Sequence, residues 1–358
     1  MGDRRAFLSG MLAAGLMPAP TWAEAGDPAY VSAAKRPDDK YVLCGLSASG
    51  SILFELALPD RGHAAAAHPK RAEAVAFARR PGRFAVVIDC LSGAELARLD
   101  APEGRHFYGH GAFSAEGDLL LTSENDYDAA RGIVGVWDVL AGYRRVGEFA
   151  TGGIGPHDMK LIPGQNRLVV ANGGIETHPE TGRVKLNIPT MRPSLTYLTL
   201  DGEIVEQMEL DPALHKNSIR HLDVAPDGRV AFAMQWQGDL VANPPLLGIH
   251  RQGAAPMLMD AGPDAVQTMA GYAGSVAIAP AQNQVAITSP RGGTLQVYDL
   301  FTGALAQSLA IEDVCGISRT ARGFFVTSGR GFTIPHVTGV ETRATKHRRR
   351  WDNHLIAI

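Results

Sequence analysis

His63-Ala-Ala-Ala-Ala-His-Pro, His110-Gly-Ala-Phe-Ser-Ala-Glu-Gly and His157-Asp-Met-Lys-Leu-Ile-Pro-Gly restart the chain at a constant interval of 47 residues. Each stretch opens on a histidine, runs through apolar residues and closes in a turn. A fixed period in the forties, with a strand and a turn after every register mark, is the signature of a β-propeller blade. One residue per blade at one offset must form a ring around the propeller axis. The register therefore gives a fold and also a place in it.

The register runs on. His221-Leu-Asp-Val-Ala-Pro-Asp-Gly restarts it after a longer repeat, and Gly274-Ser-Val-Ala-Ile-Ala-Pro and Cys315-Gly-Ile-Ser restart it without histidine. Trp351-Asp-Asn-His354-Leu-Ile-Ala-Ile places a seventh mark near the C-terminus. A lone strand there cannot be a blade. Tyr41-Val-Leu-Cys-Gly-Leu and Ser51-Ile-Leu-Phe-Glu-Leu, conversely, are strands lacking a first partner. Pairing the C-terminal strand with the N-terminal ones removes two free sheet edges at once. The expectation is an all-β, seven-bladed propeller closed in that way.

Residues 1–25 read as a targeting segment to be kept out of the fold. Arg4-Arg5-Ala-Phe-Leu, a short apolar run and Ala23-Glu-Ala25 resemble a twin-arginine export signal with a small-x-small cleavage site. Residues 26–39 read as a linker and 40–358 as one propeller, with an insertion at about 173–194. No other run approaches the length needed to cross a bilayer. The expected compartment is the periplasm. A formal net charge of −3 gives no case for nucleic acid or an anionic membrane. The basic cluster Lys346–Arg350 reads as a solvated strand edge. Many of the 40 glycines and 22 prolines sit in turns. Asp89-Cys-Leu-Ser-Gly93, Asp138-Val-Leu-Ala-Gly142 and Asp299-Leu-Phe-Thr-Gly303 repeat one turn chemistry. Cys44, Cys90 and Cys315 form no disulfide framework. A Cys44–Cys90 bridge between neighbouring blades is one reading, and two free sheet thiols the other.

Imidazole is the commonest side-chain ligand for transition metals, so His63, His110, His157, His221 and His354 are candidate ligands. The loops that open on the same face carry Arg80, Asn172, Arg291 and Arg330, which suit an anionic partner of the metal. Cys315 occupies the ring register. His106 lies close to the histidine face, and His178 lies in the insertion, which leaves from that face. A framing role for the histidines stands beside the ligand role. Gly109-His110 followed by Trp137-Asp138 looks like a WD repeat, where histidine joins an internal hydrogen-bond network. Seven inner strands also leave a channel wide enough to keep five imidazoles apart.

Arg105-His-Phe-Tyr-Gly-His110, Gly155-Pro-His157, Ala171-Asn-Gly-Gly174, Thr177-His-Pro179, Ser218-Ile-Arg-His221, Ser289-Pro-Arg-Gly-Gly293, Asp313-Val-Cys-Gly316 and Trp351-Asp-Asn-His-Leu355 resemble the DUF1513 family across nearly the whole mature chain. That resemblance implies an exported bacterial propeller related to the quinoprotein amine dehydrogenase-like group. It also implies the company of imelysin-like proteins and di-haem oxidoreductases in iron-acquisition loci. Three functions follow. The first is a metal- or metal-chelate-binding protein serving iron uptake, with iron, copper or zinc as the metal; a purely imidazole set suits copper or zinc better than iron. The second is a metal-dependent hydrolase or oxidoreductase, with Glu124 beside His110 or His157 as the candidate base. The third is a scaffold that docks an imelysin-like or haem protein.

Overall fold

The computed structural model describes residues 19–78, 83–182, 184–337, 340–341 and 344–358. Among the described residues, seven antiparallel sheets are arranged as blades, and six of them follow the chain from the axis outward. The innermost strands of the first six are Gly62–Ala67, Arg105–Phe113, Pro156–Leu161, Asn217–Val224, Ser275–Ala279 and Val314–Thr320. Successive inner strands pack against one another around the ring.

The sequence forms these elements for a simple reason. Inner and second strands are short apolar runs covered on both faces, such as Ser275–Ala279 and Glu73–Ala78, buried at every position. Outermost strands alternate, as in Leu305–Ala310, because one face meets solvent. The core lies between blades. Leu247 and Ile249 of the fourth blade pack with Val276, Ile278, Val285 and Ile287 of the fifth. The recurring turns are as expected: the Gly93 and Gly303 amides donate back to the Asp89 and Asp299 carbonyls at 2.8 and 2.9 Å, with φ of 77° and 75°.

The seventh blade closes the circle. Its inner strand is C-terminal, pairing Ala34 with Trp351, Lys35 with Arg350, Tyr30 with Ala357 and Val31 with Ile356. Tyr30–Lys35, Tyr41–Leu46 and Ile52–Leu58 complete it. The closure expected from sequence is therefore present. The linker reading of 26–39 needs correction, because this stretch contains Tyr30–Lys35, almost wholly buried. Gly26-Asp-Pro28 and Arg36-Pro-Asp-Asp39 bracket that strand with turn residues, which disguised it.

Pro20–Ala25, read as the end of the leader, packs on the first blade. Trp22 is buried and its indole N–H donates to the His68 carbonyl at 2.8 Å. The Ala72 amide donates to the Pro20 carbonyl at 2.7 Å. The three cysteines are buried and free, so the Cys44–Cys90 bridge is not formed. Burial pushes the Cys44 and Cys90 thiols up to about 12, which keeps them protonated and inert.

The insertion, which ends where Ser194–Thr199 begins, is an ordered arm. Two short turns, Pro179–Thr181 and Ile188–Thr190, are tied by Asn187, which accepts from the Glu176 amide and donates to the Gly174 carbonyl. Ile175 and Met191 are its buried anchors. Among the described residues, no helix is long and apolar enough to cross a membrane.

Candidate metal centre

The five register histidines converge on the axis. His110 is at the centre, with its ring centroid 5.1 Å from His63, 5.2 Å from His157, 5.7 Å from His221 and 4.7 Å from His354. Around it, His157 and His221 lie 4.6 Å apart and His221 and His354 4.9 Å. Two groups, His63–His110–His354 and His110–His157–His221, bring ligand nitrogens within 4.8 Å of one another.

Local backbone irregularity aims them. The ladder between first and second strands shifts register at Gly62/Ala65, Phe107/Gly111, Pro156/Asp158 and Ile219/His221, each at or beside a ring histidine. A bulge adds a residue to one strand and re-aims its side chain. In the closing blade, Asp352–Leu355 leaves the ladder between two pairing stretches and carries His354 inward. The Ser32 hydroxyl fixes that detour by donating to the His354 carbonyl at 2.7 Å. Gly109 is required. Its φ is 96°, and a Cβ there would lie 2.5 Å from the His63 ring.

His110 Nδ1 lies 3.2 Å from Asp158 Oδ1. A carboxylate only accepts, so Nδ1 carries the hydrogen, which leaves Nε2 as the ring nitrogen that can hold a ligand. Asp158 is itself held, accepting from the Met159 amide at 2.8 Å and the Leu222 amide at 3.0 Å. Burial alone would raise this carboxyl, but Lys160 and the His110 contact hold it below the carboxylate range. A carboxylate orienting an imidazole is the usual outer-sphere support of a metal ligand.

His110 Nε2, His157 Nδ1, His221 Nδ1 and His354 Nε2 are buried with no hydrogen-bond partner among the described residues. Burial, helped by neighbouring cations and imidazoles, holds His157 and His354 well below the usual histidine range and brings His221 down to about 3. His157, His221 and His354 are thus neutral at working pH, the form that binds metal. Below the ring, along the inner strands, a cavity of about 210 Å³ touches His110, His221 and His354 and continues past Lys160 and Asp223. Asp223 repeats the clasp of Asp158 one blade on, accepting from the Ile278 amide at 2.8 Å.

The remaining candidates divide. Glu124 is fully buried and bonded to Arg145 at 2.6 and 3.0 Å and to Thr122 at 2.8 Å, so it holds an internal ion pair and is not free to act as a base. Asn172 is likewise consumed, with bonds to Thr151, Ser194 and Thr196. His106 bonds Phe107 and Asn125, and Asn125 in turn reaches the Thr177 carbonyl of the arm. His178 faces Asp128 at 3.3 Å and packs on Tyr127, so these two histidines dock the arm on the second blade. Arg330 pairs with Glu312. The Cys315 thiol donates to the Asp313 carbonyl at 3.0 Å and is held protonated by burial. Arg80 lies outside the described residues.

Arg291 lies 4.4 Å over the Tyr272 ring, with no carboxylate partner among the described residues. The WD-type network is not the one formed, because Trp137 bonds Thr122 at 3.0 Å and His110 bonds Asp158. The sequence reading missed Asp158 and Lys160. The signal for Asp158 was its place directly after a register histidine.

The description "Protein of unknown function (DUF1513)" matches residues 56–358. The chain belongs to this family. The solved structure of Kuenenia stuttgartiensis hydrazine synthase is similar in fold, with a TM-score of 0.61 at 13% identity, over 85% of this chain and 89% of that one. At that identity the likeness speaks to the propeller alone. No curated protein matches.

Proposed function

We propose that this DUF1513 propeller binds a transition-metal ion on its axis, with His110 as the central ligand. One observation carries the reading: two groups of three histidines that share His110 bring ligand nitrogens within 4.8 Å of one another, and four of these five rings hold a buried nitrogen with no hydrogen-bond partner among the described residues. A buried polar atom left unpaired costs free energy, and a metal ion relieves several at once. Both histidine groups contain His110, so a chain takes up one ion. An all-nitrogen set favours copper or zinc, and iron would need oxygen donors from elsewhere.

The test is elemental analysis after incubation with copper, zinc and iron salts and desalting. The wild type is expected to keep about one equivalent of its preferred metal, and His110→Ala to keep none while remaining folded. A wild type that stays metal-free in all three defeats the proposal. The reading also places the protein in the periplasm, in the service of iron acquisition, with imelysin-like or di-haem partners, on the strength of the leader and the family resemblance. Replacing Arg4 and Arg5 with lysine is expected to hold the precursor inside the cell, and normal export of that variant would count against twin-arginine transport.

The hydrolase alternative is weakened because its candidate base, Glu124, is fully engaged by Arg145.

A further inference from the structure

We propose that the ring's metal ion takes a small monovalent oxyanion as a further ligand in the axial cavity, where Lys160, Ser275 and Ser318 hold it. This rests on the metal-binding reading above. The cavity of about 210 Å³ is lined by His110, His221 and His354, and also by Lys160, Ser275 and Ser318. Each of the two histidine groups has two members among those three imidazoles. The cavity therefore adjoins the coordination sphere whichever group holds the ion. Three imidazoles leave a tetrahedral ion one open position, as at catalytic zinc centres, and a ligand in the cavity can fill it.

Unmet hydrogen-bonding capacity sets the class of that ligand. The carboxylates lining the cavity are already engaged. Asp158 accepts from the Met159 and Leu222 amides, and Asp223 accepts from the Val224 amide at 3.0 Å and the Ile278 amide at 2.8 Å. The donors are not engaged. Ser275 and Ser318 are buried, yet their hydroxyls make no hydrogen bond with the described residues. The Lys160 ammonium lies 3.8 Å from Asp158 Oδ1, beyond hydrogen-bond reach, and it too bonds none of the described residues. These three donors converge from the inner strands of the third, fifth and sixth blades. Enclosed donors without acceptors are unfavourable, so the matching ligand is rich in acceptors.

Charge makes the anion follow the metal. The charged side chains lining the cavity are Lys160, Asp158 and Asp223, whose balance is negative and repels an anion. A divalent ion in the ring reverses that sign, and a single negative charge then neutralises it. Binding is ordered, metal first, and the anion in turn tightens the hold on the metal.

Azide, a monovalent anion that gives a charge-transfer band on cupric ion, probes the position directly. Azide and then excess formate are titrated into copper-loaded wild type and into Lys160→Gln loaded in the same way. Azide is expected to raise the band and formate to remove it by competition. Lys160→Gln is expected to keep its copper and to lose about tenfold or more in affinity for both anions, the worth of a charge-assisted hydrogen bond. A variant that binds both within threefold of wild type overturns the inference and leaves the metal reading intact. So does a copper-loaded wild type with no azide band, or with one that formate does not displace. Should Lys160→Gln fail to fold or to load, a Ser275→Ala/Ser318→Ala double variant carries the same test. A loss of about threefold or more is expected there, and unchanged affinity overturns the inference. A wild type that takes up no copper counts against the metal reading, and the inference falls with it.

Discussion

At the scale of single residues, the decisive pair is His110 and Asp158. A histidine on the axis is only a hydrophobic-sized polar group until its tautomer is fixed. Asp158 fixes it, from the next blade, at 3.2 Å. Replacing Asp158 with Asn removes the carboxylate that selects Nδ1–H while nearly keeping its shape. Metal affinity is expected to fall about 10–100-fold, the usual cost of losing an orienting partner of a ligand. The far-ultraviolet circular dichroism of the apo variant should match wild type. Competition with a chromophoric chelator reads the affinity, and an unchanged value would mean that Asp158 serves only as an inter-blade clasp. Glu124 teaches the opposite lesson. Its sequence context beside the histidines suggested chemistry, whereas Arg145 and Thr122 use its oxygens in full.

At the scale of elements, strands that begin as regular ladders break register where they pass the axis. Four bulges and one detour convert a ring of backbone positions into a cluster of side chains. Inter-blade clasps hold these irregular strands in place. Asp223 is one of them, joining the fourth blade to the Ile278 amide of the fifth. Asp223→Ala is expected to cost about 1–3 kcal/mol, the range for stranding a buried donor or losing a charged acceptor. For a domain of this size that lowers the melting temperature by several degrees. The metal stoichiometry of the variant should stay at the wild-type value. Lost metal at an unchanged melting temperature would instead make Asp223 part of the centre.

At the scale of the whole molecule, stability and the ring share one pH dependence. His157, His221 and His354 are neutral when folded because burial, the largest cause, opposes their protonation. In the unfolded chain they accept protons below about pH 6.5. Between that value and about 3, the folded-state value of His221, the unfolded state binds more protons than the folded one. Stability therefore falls as pH drops through this window. The apo protein is expected to melt progressively lower from pH 7 to pH 4 in a thermal series, and the metal-loaded protein to melt higher than apo at pH 7. A flat apo profile over that range would show that the ring protonates without cost.

The sequence by itself determined the blade count, the closure of the circle and the five ring positions, because a repeat fold writes its period directly into the chain. It also marked the arm as an ordered insertion. It missed Tyr30–Lys35, whose apolar run is short and bracketed by Pro and Asp. Only the tertiary structure decided that the five imidazoles meet, since convergence depends on bulges that periodicity does not encode. Likewise only the fold brings Asp158 to His110 and Arg145 to Glu124. Those partners sit on different strands or blades, and which polar atoms remain unsatisfied is a property of the packed molecule.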